Sequence, residues 1–126
     1  LIDSRDLDLS KLPEDVLDNA SYYGRIFARS GGLSDAVAQG LKEQGLDKEF
    51  TLKPAVCDGL EACRMALLKA GKGVLDANFI EGMACNGGCI GGAGCLTHGE
   101  KDKTQVDKYG KEAYEKTISD AISGIV

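Results

Sequence analysis

The stretch FIEGMACNGGCIGGAGC, residues 79–95, constrains this chain more than any other. It sets three cysteines, Cys85, Cys89 and Cys95, within eleven residues and packs five glycines (Gly87, Gly88, Gly91, Gly92 and Gly94) between them. Thiolates are soft ligands, and several of them close together suit zinc or an iron–sulfur cluster. Zinc sites usually repeat a cysteine pair elsewhere in the chain. Here there is one C-x3-C and no second pair, which argues against a self-contained zinc site. Glycines suit a cluster because backbone amides must come close to inorganic sulfide, often through dihedrals that a β-carbon forbids. Successive N–H groups in such a turn form a concavity that holds an anion, and a cluster with its thiolates is anionic. The local chemistry points to a metal cluster.

Other glycine-rich readings fail. GGCIGGAG is not followed by Lys-Ser/Thr, so it is no P-loop, and it lacks G-x-G-x-x-G spacing after a strand. A single histidine leaves little room for acid–base catalysis. The formal net charge of −5 argues against nucleic acid as a partner. No apolar run reaches the roughly 20 residues needed to span a membrane. Five cysteines, an odd and unevenly spaced set, do not read as a secreted disulfide framework. A reducing compartment, the cytoplasm, is the simpler setting. The 126 residues begin at Leu1, with neither an initiator methionine nor a signal peptide, so the chain is expected to be a fragment of a larger protein.

The pattern along the chain is alternating α/β. Residues 1–20 are acidic and irregular, with a helical turn expected after Leu12-Pro13-Glu14. Leu33, Ala36, Val37 and Leu41 predict a helix over 33–44, ended by Gly45. Phe50, Leu52 and Val56 predict a strand, with Pro54 placing it at an edge or delaying its start. A helix over 58–70 follows, with Asp58 and Glu61 as a capping box, Gly71 as its stop, and Leu60, Cys63, Leu67 and Ala70 as its apolar stripe. Residues 76–83 read as a second strand, parallel to the first through a right-handed crossover. The cysteine loop then leaves the carboxyl end of that strand, where open α/β sheets place their ligand sites. A final helix over 103–122 presents Val106, Tyr109, Ala113, Thr117, Ile118, Ala121 and Ile122 on one face. The whole reads as a single domain or one lobe of a domain, a small parallel sheet flanked by helices.

Outside the loop, plain readings are preferred. Cys63 is core, and Cys57 is buried at the end of its strand, although a thiolate there would gain from the helix dipole. His98 sits in a polar surface turn. Glu81 either joins a proton path, faces solvent or holds the loop by hydrogen bonds. Tyr22 and Tyr23 pack against the sheet, and the charges of 103–116 make a solvated helix face.

The cysteine stretch resembles the last of three cysteine motifs in the C-terminal catalytic domain of the large subunit of iron-only ([FeFe]) hydrogenases. That pattern is approximately E-x-M-x-C-x-G-G-C-x-x-G-G-G-Q, and Glu81, Met83, Cys85, Gly87, Gly88, Cys89, Gly92 and Gly94 match it. The similarity extends upstream through YYGRIFARSGG and AVCDGLEACRMAL and covers roughly residues 22–95. Ala93 stands where a third glycine is usual, and Cys95 where glutamine is usual.

The resemblance implies a [4Fe–4S] cluster bridged to a two-iron subcluster, together the H-cluster, and reversible oxidation of H2 to protons and electrons. By that resemblance Cys85 is a cubane ligand and Cys89 the bridging thiolate. Met83 lines the pocket of the two-iron unit, and Phe27 and Gly88 approach the cofactor. Cys95 is a candidate further ligand or a structural thiol. The remaining ligands belong to two earlier motifs that this chain lacks. The partners implied are therefore the remainder of the hydrogenase chain, ferredoxin or accessory iron–sulfur domains, and H2, and the isolated chain is expected to be inactive and to carry no native cluster. The alternative class is a non-catalytic relative, a redox or H2 sensor or an iron–sulfur assembly factor.

Overall fold

The computed structural model describes residues 1–15 and 20–123. Two strands, β1 (Pro54–Asp58) and β2 (Phe79–Met83), pair in parallel with Pro54 opposite Phe79 and Asp58 opposite Met83. The helices are α1 (Tyr22–Ile26), α2 (Gly32–Glu43), α3 (Leu60–Gly71), α4 (Glu100–Lys111) and α5 (Ile118–Ser123). The class is α/β as expected, a small parallel sheet with helices around it. The N-terminal residues make two short 3-10 turns, Asp3–Arg5 and Leu9–Lys11. The turn expected after Glu14 falls on residues 16–19, outside the described ones.

β1, α3 and β2 form one β-α-β unit. Pro54 opens β1, so Phe50 and Leu52 lie before the strand rather than in it. β2 begins three residues later than expected. Asn78 occupies the approach, accepting from the Lys53 amide (2.7 Å) and donating to the Thr51 carbonyl (2.8 Å). A side chain thus closes the sheet end where further ladder bonds would have run.

The expected capping box is not there. Asp58 is the last residue of β1, and Gly59 caps α3 at φ 90° without a side-chain bond. The Glu61 carboxylate pairs instead with Arg64, one turn on. The helix ends at Gly71, but the left-handed residue after it is Gly73 (φ 69°). The apolar stripe is also reassigned: Ala66 is the buried residue of α3, while Leu60 and Leu67 are 72% and 63% exposed. Both strands contact α3 through a narrow face of small side chains, and its leucines point away.

α2 runs as predicted, and Gly45 (φ 71°) follows its end. Its start is held from a distance. Gly31 offers no side chain, and the carboxylate of Glu81 on β2 accepts from the amides of Gly31 and Ser34, both at 2.8 Å. The Ser34 hydroxyl adds a third bond at 2.5 Å. A helix leaves its first amides without partners, and an anion there is favoured. Glu81, 1% exposed, does not face solvent, and the bonds its carboxylate accepts hold the start of α2 rather than the cysteine loop.

The predicted tail helix is two helices. Lys116 turns back to donate to the carbonyls of Lys111 and Ala113, which closes α4, and Thr117 Oγ1 accepts from the Asp120 amide to start α5. The apolar face survives the break, with Ala113 1% exposed, although Ile122 is exposed. Tyr22 and Tyr23 do not lie on the sheet. Tyr22 packs against Gly110 of α4, and Tyr23 donates to Gln39 of α2. The core is correspondingly small: Ile26, Ala36, Cys57, Ala66 and Ala113.

Candidate metal-cluster loop

The loop begins where β2 stops, at Met83. The Met83 carbonyl accepts from the Gly59 amide (2.8 Å) and lies 3.6 Å from the Cys63 thiol, so the ends of both strands and the start of α3 converge beneath the loop. The chain then folds back on itself. Gly88 donates to the Cys85 carbonyl at 3.0 Å, and residues Cys89–Gly91 make one 3-10 turn. Gly92 donates to the Cys89 carbonyl at 3.1 Å and Cys95 to the Gly92 carbonyl at 3.0 Å. These turns fold Cys85 and Cys89 into a single loop, and a β-carbon on Gly92 would lie 3.6 Å from the Cys85 sulfur.

Two supports hold the loop from outside. Asp58 accepts from the Gly87 amide at 2.6 Å. On the other side the segment 28–30 lies antiparallel to it: Ser30 donates to the Gly87 carbonyl (3.0 Å) and Ile90 to the Ala28 carbonyl (3.3 Å). Gly88 fits between with φ 89°, and a β-carbon there would stand 2.5 Å from the Ser30 nitrogen. That glycine is required both by its dihedral and by the space.

Of the predicted site residues, Cys89 is exposed, Cys85 and Met83 are half-buried, and Gly88 is buried. Phe27 is 46% exposed at the end of α1, one residue before the Ala28 carbonyl that meets the loop. Cys95 donates to the Cys89 carbonyl at 3.3 Å, which ties it to the loop's own backbone. His98, exposed as expected, donates from Nε2 to the Gly92 carbonyl at 2.9 Å. Ala93 carries no strain of the kind its departure from glycine raises, since Asp6 is the one non-glycine with positive φ among the described residues.

Cys57 is 5% exposed, and burial, followed by the nearby Cys63 thiol, pushes its own thiol pKa up. Cys63 is half-buried and bridges the Cys57 and Met83 carbonyls, at 3.7 and 3.6 Å. Cys57 is buried as expected, whereas Cys63 lies at the margin of the core rather than in it. Sequence reasoning missed Asp58 and Arg29 as supports of the loop. The spacing of Asp58 and Glu61 suggests a helix cap instead, and Arg29 carries no local signal, because its partners Asp35 and Asp107 lie 6 and 78 residues away. A cleft of about 890 Å³ lies behind the loop, with Arg29, Asp58, Asn86, Gly87, Ile90 and Lys103 among its walls.

All five cysteines are free thiols. No three His, Cys, Asp or Glu side chains among the described residues are grouped to hold a metal ion. The donors present fit a share of a cluster's ligand set: two soft thiols on one glycine turn, at the carboxyl end of a parallel strand.

A glycine-built cysteine loop above a β-α-β unit defines an α/β domain. The chain belongs to the family of the iron-only hydrogenase large subunit, C-terminal domain, which it matches over residues 1–93. The match reaches back through the first 21 residues, which the motif resemblance did not cover, and stops before Cys95, α4 and α5. No match was found among curated proteins.

Proposed function

We propose that this chain is one lobe of an iron-only hydrogenase that catalyses reversible oxidation of H2 to protons and electrons. The observation that supports it best is the Cys85-x3-Cys89 turn, launched from β2 and pinned by Asp58 and the segment 28–30. Cys85 and Cys89 would hold the H-cluster, a [4Fe–4S] cubane with its two-iron subcluster, Cys89 as the bridging thiolate. When bound, that group supplies the redox and hydrogen-cleaving chemistry, and the protein's part is to place and tune it. The half-buried Met83 thioether would line one wall, with Phe27 and Gly88 bordering the site.

The other ligands and the proton-relay thiol would come from the remainder of the hydrogenase chain. Exposed Leu60, Leu67 and Val74 (67%) give that partner an apolar surface to cover. Ferredoxin or accessory iron–sulfur domains would exchange the electrons, in the cytoplasm. No helix of the described residues is long and apolar enough to cross a membrane. A second reading, a redox or H2 sensor or an iron–sulfur assembly protein that holds a cubane without turnover, draws on Cys95, whose thiol stands at the Cys89 carbonyl.

The test is anaerobic hydrogen evolution by the intact parent protein, co-produced with cluster maturation proteins and driven by reduced viologen. Sustained evolution that disappears in Cys89→Ala supports the enzyme. A preparation with a full cubane by iron analysis and no evolution supports the sensor or assembly role.

A further inference from the structure

We propose that Asp107 on α4 is a positioning residue for the Cys85–Cys89 loop and acts through the guanidinium of Arg29. This rests on reading that loop as the cluster-binding element. α4 lies beyond the residues of the family match, yet it is no appendage. A β-carbon on Gly110 would stand 2.7 Å from Cγ2 of Ile26, a residue with no exposed surface. Arg25 stacks over the Tyr109 ring at 4.4 Å and donates to the Tyr109 carbonyl at 3.1 Å. Tyr22 donates its amide to the Glu115 carbonyl at 3.0 Å.

Arg29 links this helix to the loop. Its side chain is 9% exposed; Nε meets Asp107 at 2.5 Å, Nη2 meets Asp35 at 2.8 Å, and Nη1 donates to the Ser30 carbonyl at 3.2 Å. One guanidinium thus ties α4, α2 and the segment 28–30 together, in the planar fork geometry that lysine cannot supply. The backbone of that residue faces Gly88, with its neighbours bonded to Gly87 and Ile90. Little slack remains at this rung, since a β-carbon on Gly88 would stand 2.5 Å from the Ser30 nitrogen and 2.8 Å from the Arg29 carbonyl carbon. A shift of Arg29 is therefore passed to the loop. Asp107 is the more sheltered of the two acids, 33% against 51% exposed, so its bond is the less screened. Removing it leaves a nearly buried cation with a single acid, the half-exposed Asp35, to balance it, a costly arrangement.

The test uses the full 126-residue chain with three substitutions, Asp107→Asn, Asp107→Glu and Ala113→Gly. Ala113→Gly weakens the packing of the tail without touching Arg29. In Asp107→Asn, amide exchange at Ser30 and Ile90 is expected to rise about tenfold, the factor for losing one charge-assisted hydrogen bond. The ratio of Cys85 to Cys89 alkylation rates shifts with it, while Ala113→Gly leaves that ratio unchanged. Asp107→Glu keeps the charge, lengthens the arm and gives a smaller rise, which serves if Asp107→Asn does not fold. Unchanged exchange in the folded Asp107 variants overturns the proposal, as does an equal loosening in Ala113→Gly. Neither readout involves iron, so a rigid loop would defeat this inference and leave the cluster reading standing. A parent protein that binds no iron would do the reverse.

Discussion

Glu81 and Ser34 share two hydrogen bonds, from the serine amide at 2.8 Å and its hydroxyl at 2.5 Å, across 47 residues of sequence. The same carboxylate takes the Gly31 amide. β2 therefore sets where α2 begins, and with it the segment 28–30 that borders the cysteine loop. Replacing Glu81 by Gln removes an ionic acceptor and turns an NH2 group toward existing donors. The expected loss is about 2–4 kcal/mol of unfolding free energy, since bonds to charged groups contribute about 1.5–3 kcal/mol each. Urea denaturation of the two proteins measures it, and a loss under about 0.5 kcal/mol, the level of a neutral surface change, would defeat the assignment.

Adjacent glycines should respond very differently to alanine. Gly87 has φ 86° but open space where a β-carbon would go, so Gly87→Ala costs only the left-handed backbone, about 1–2 kcal/mol. Gly88 has a similar φ and would also drive its β-carbon into the Ser30 nitrogen and the Ala28 carbonyl, at 2.5 and 2.7 Å. Gly88→Ala should be destabilised further, by about 2 kcal/mol or more beyond Gly87→Ala. Equal melting temperatures for the two variants would show that the rung at 28–30 yields freely.

Docking of α5 should be acid-labile. Hydrogen bonds from the Ser119 hydroxyl, then from the Ile118 amide, hold the Glu43 carboxyl down at about 2. A folded-state pKa below the ordinary 4.5 gives stability that is complete above that value and is lost as pH falls toward 2. Exchange at the Ile118 and Ser119 amides should therefore accelerate, beyond the intrinsic pH trend, between pH 4.5 and 2. Glu43→Gln should remove that extra dependence, and an identical profile in the variant would refute the account.

Thiol chemistry offers a simpler check. Cys89 is exposed, whereas Cys57 is 5% exposed and burial raises its pKa. Alkylation followed by peptide mass analysis should label Cys89 first and Cys57 last, because the thiolate is the nucleophile and must be reached. Early labelling of Cys57 in the folded chain would contradict the packing of β1.

The parts legible in the sequence were those written in local pattern. The Leu33–Leu41 periodicity gave α2, and the glycine–cysteine run gave both the loop and the family. The misassignments share one physical origin, the replacement of local partners by distant ones. Asp58 caps no helix because the Gly87 amide takes its carboxylate. Glu81 and Arg29 act across tens of residues, which no local pattern records. The α3 stripe differs from its pattern for a related reason: helical spacing shows that leucines share a face, but not which face meets the sheet. The tail helix broke where Lys116 and Thr117 supply caps that a periodic reading passes over.

The bond between Asp58 and Gly87 also bears on the order of folding. Asp58 faces Met83 in the parallel register, and a slip of one residue would turn its side chain to the opposite side of the sheet. The loop would then lose its anchor at the same moment that the strands mispaired. Strand pairing and loop closure are thus checked against each other, and during synthesis the check is not complete until the residues through Gly87 have left the ribosome. A chain stalled before Phe79 holds one strand of the sheet and no cysteine loop.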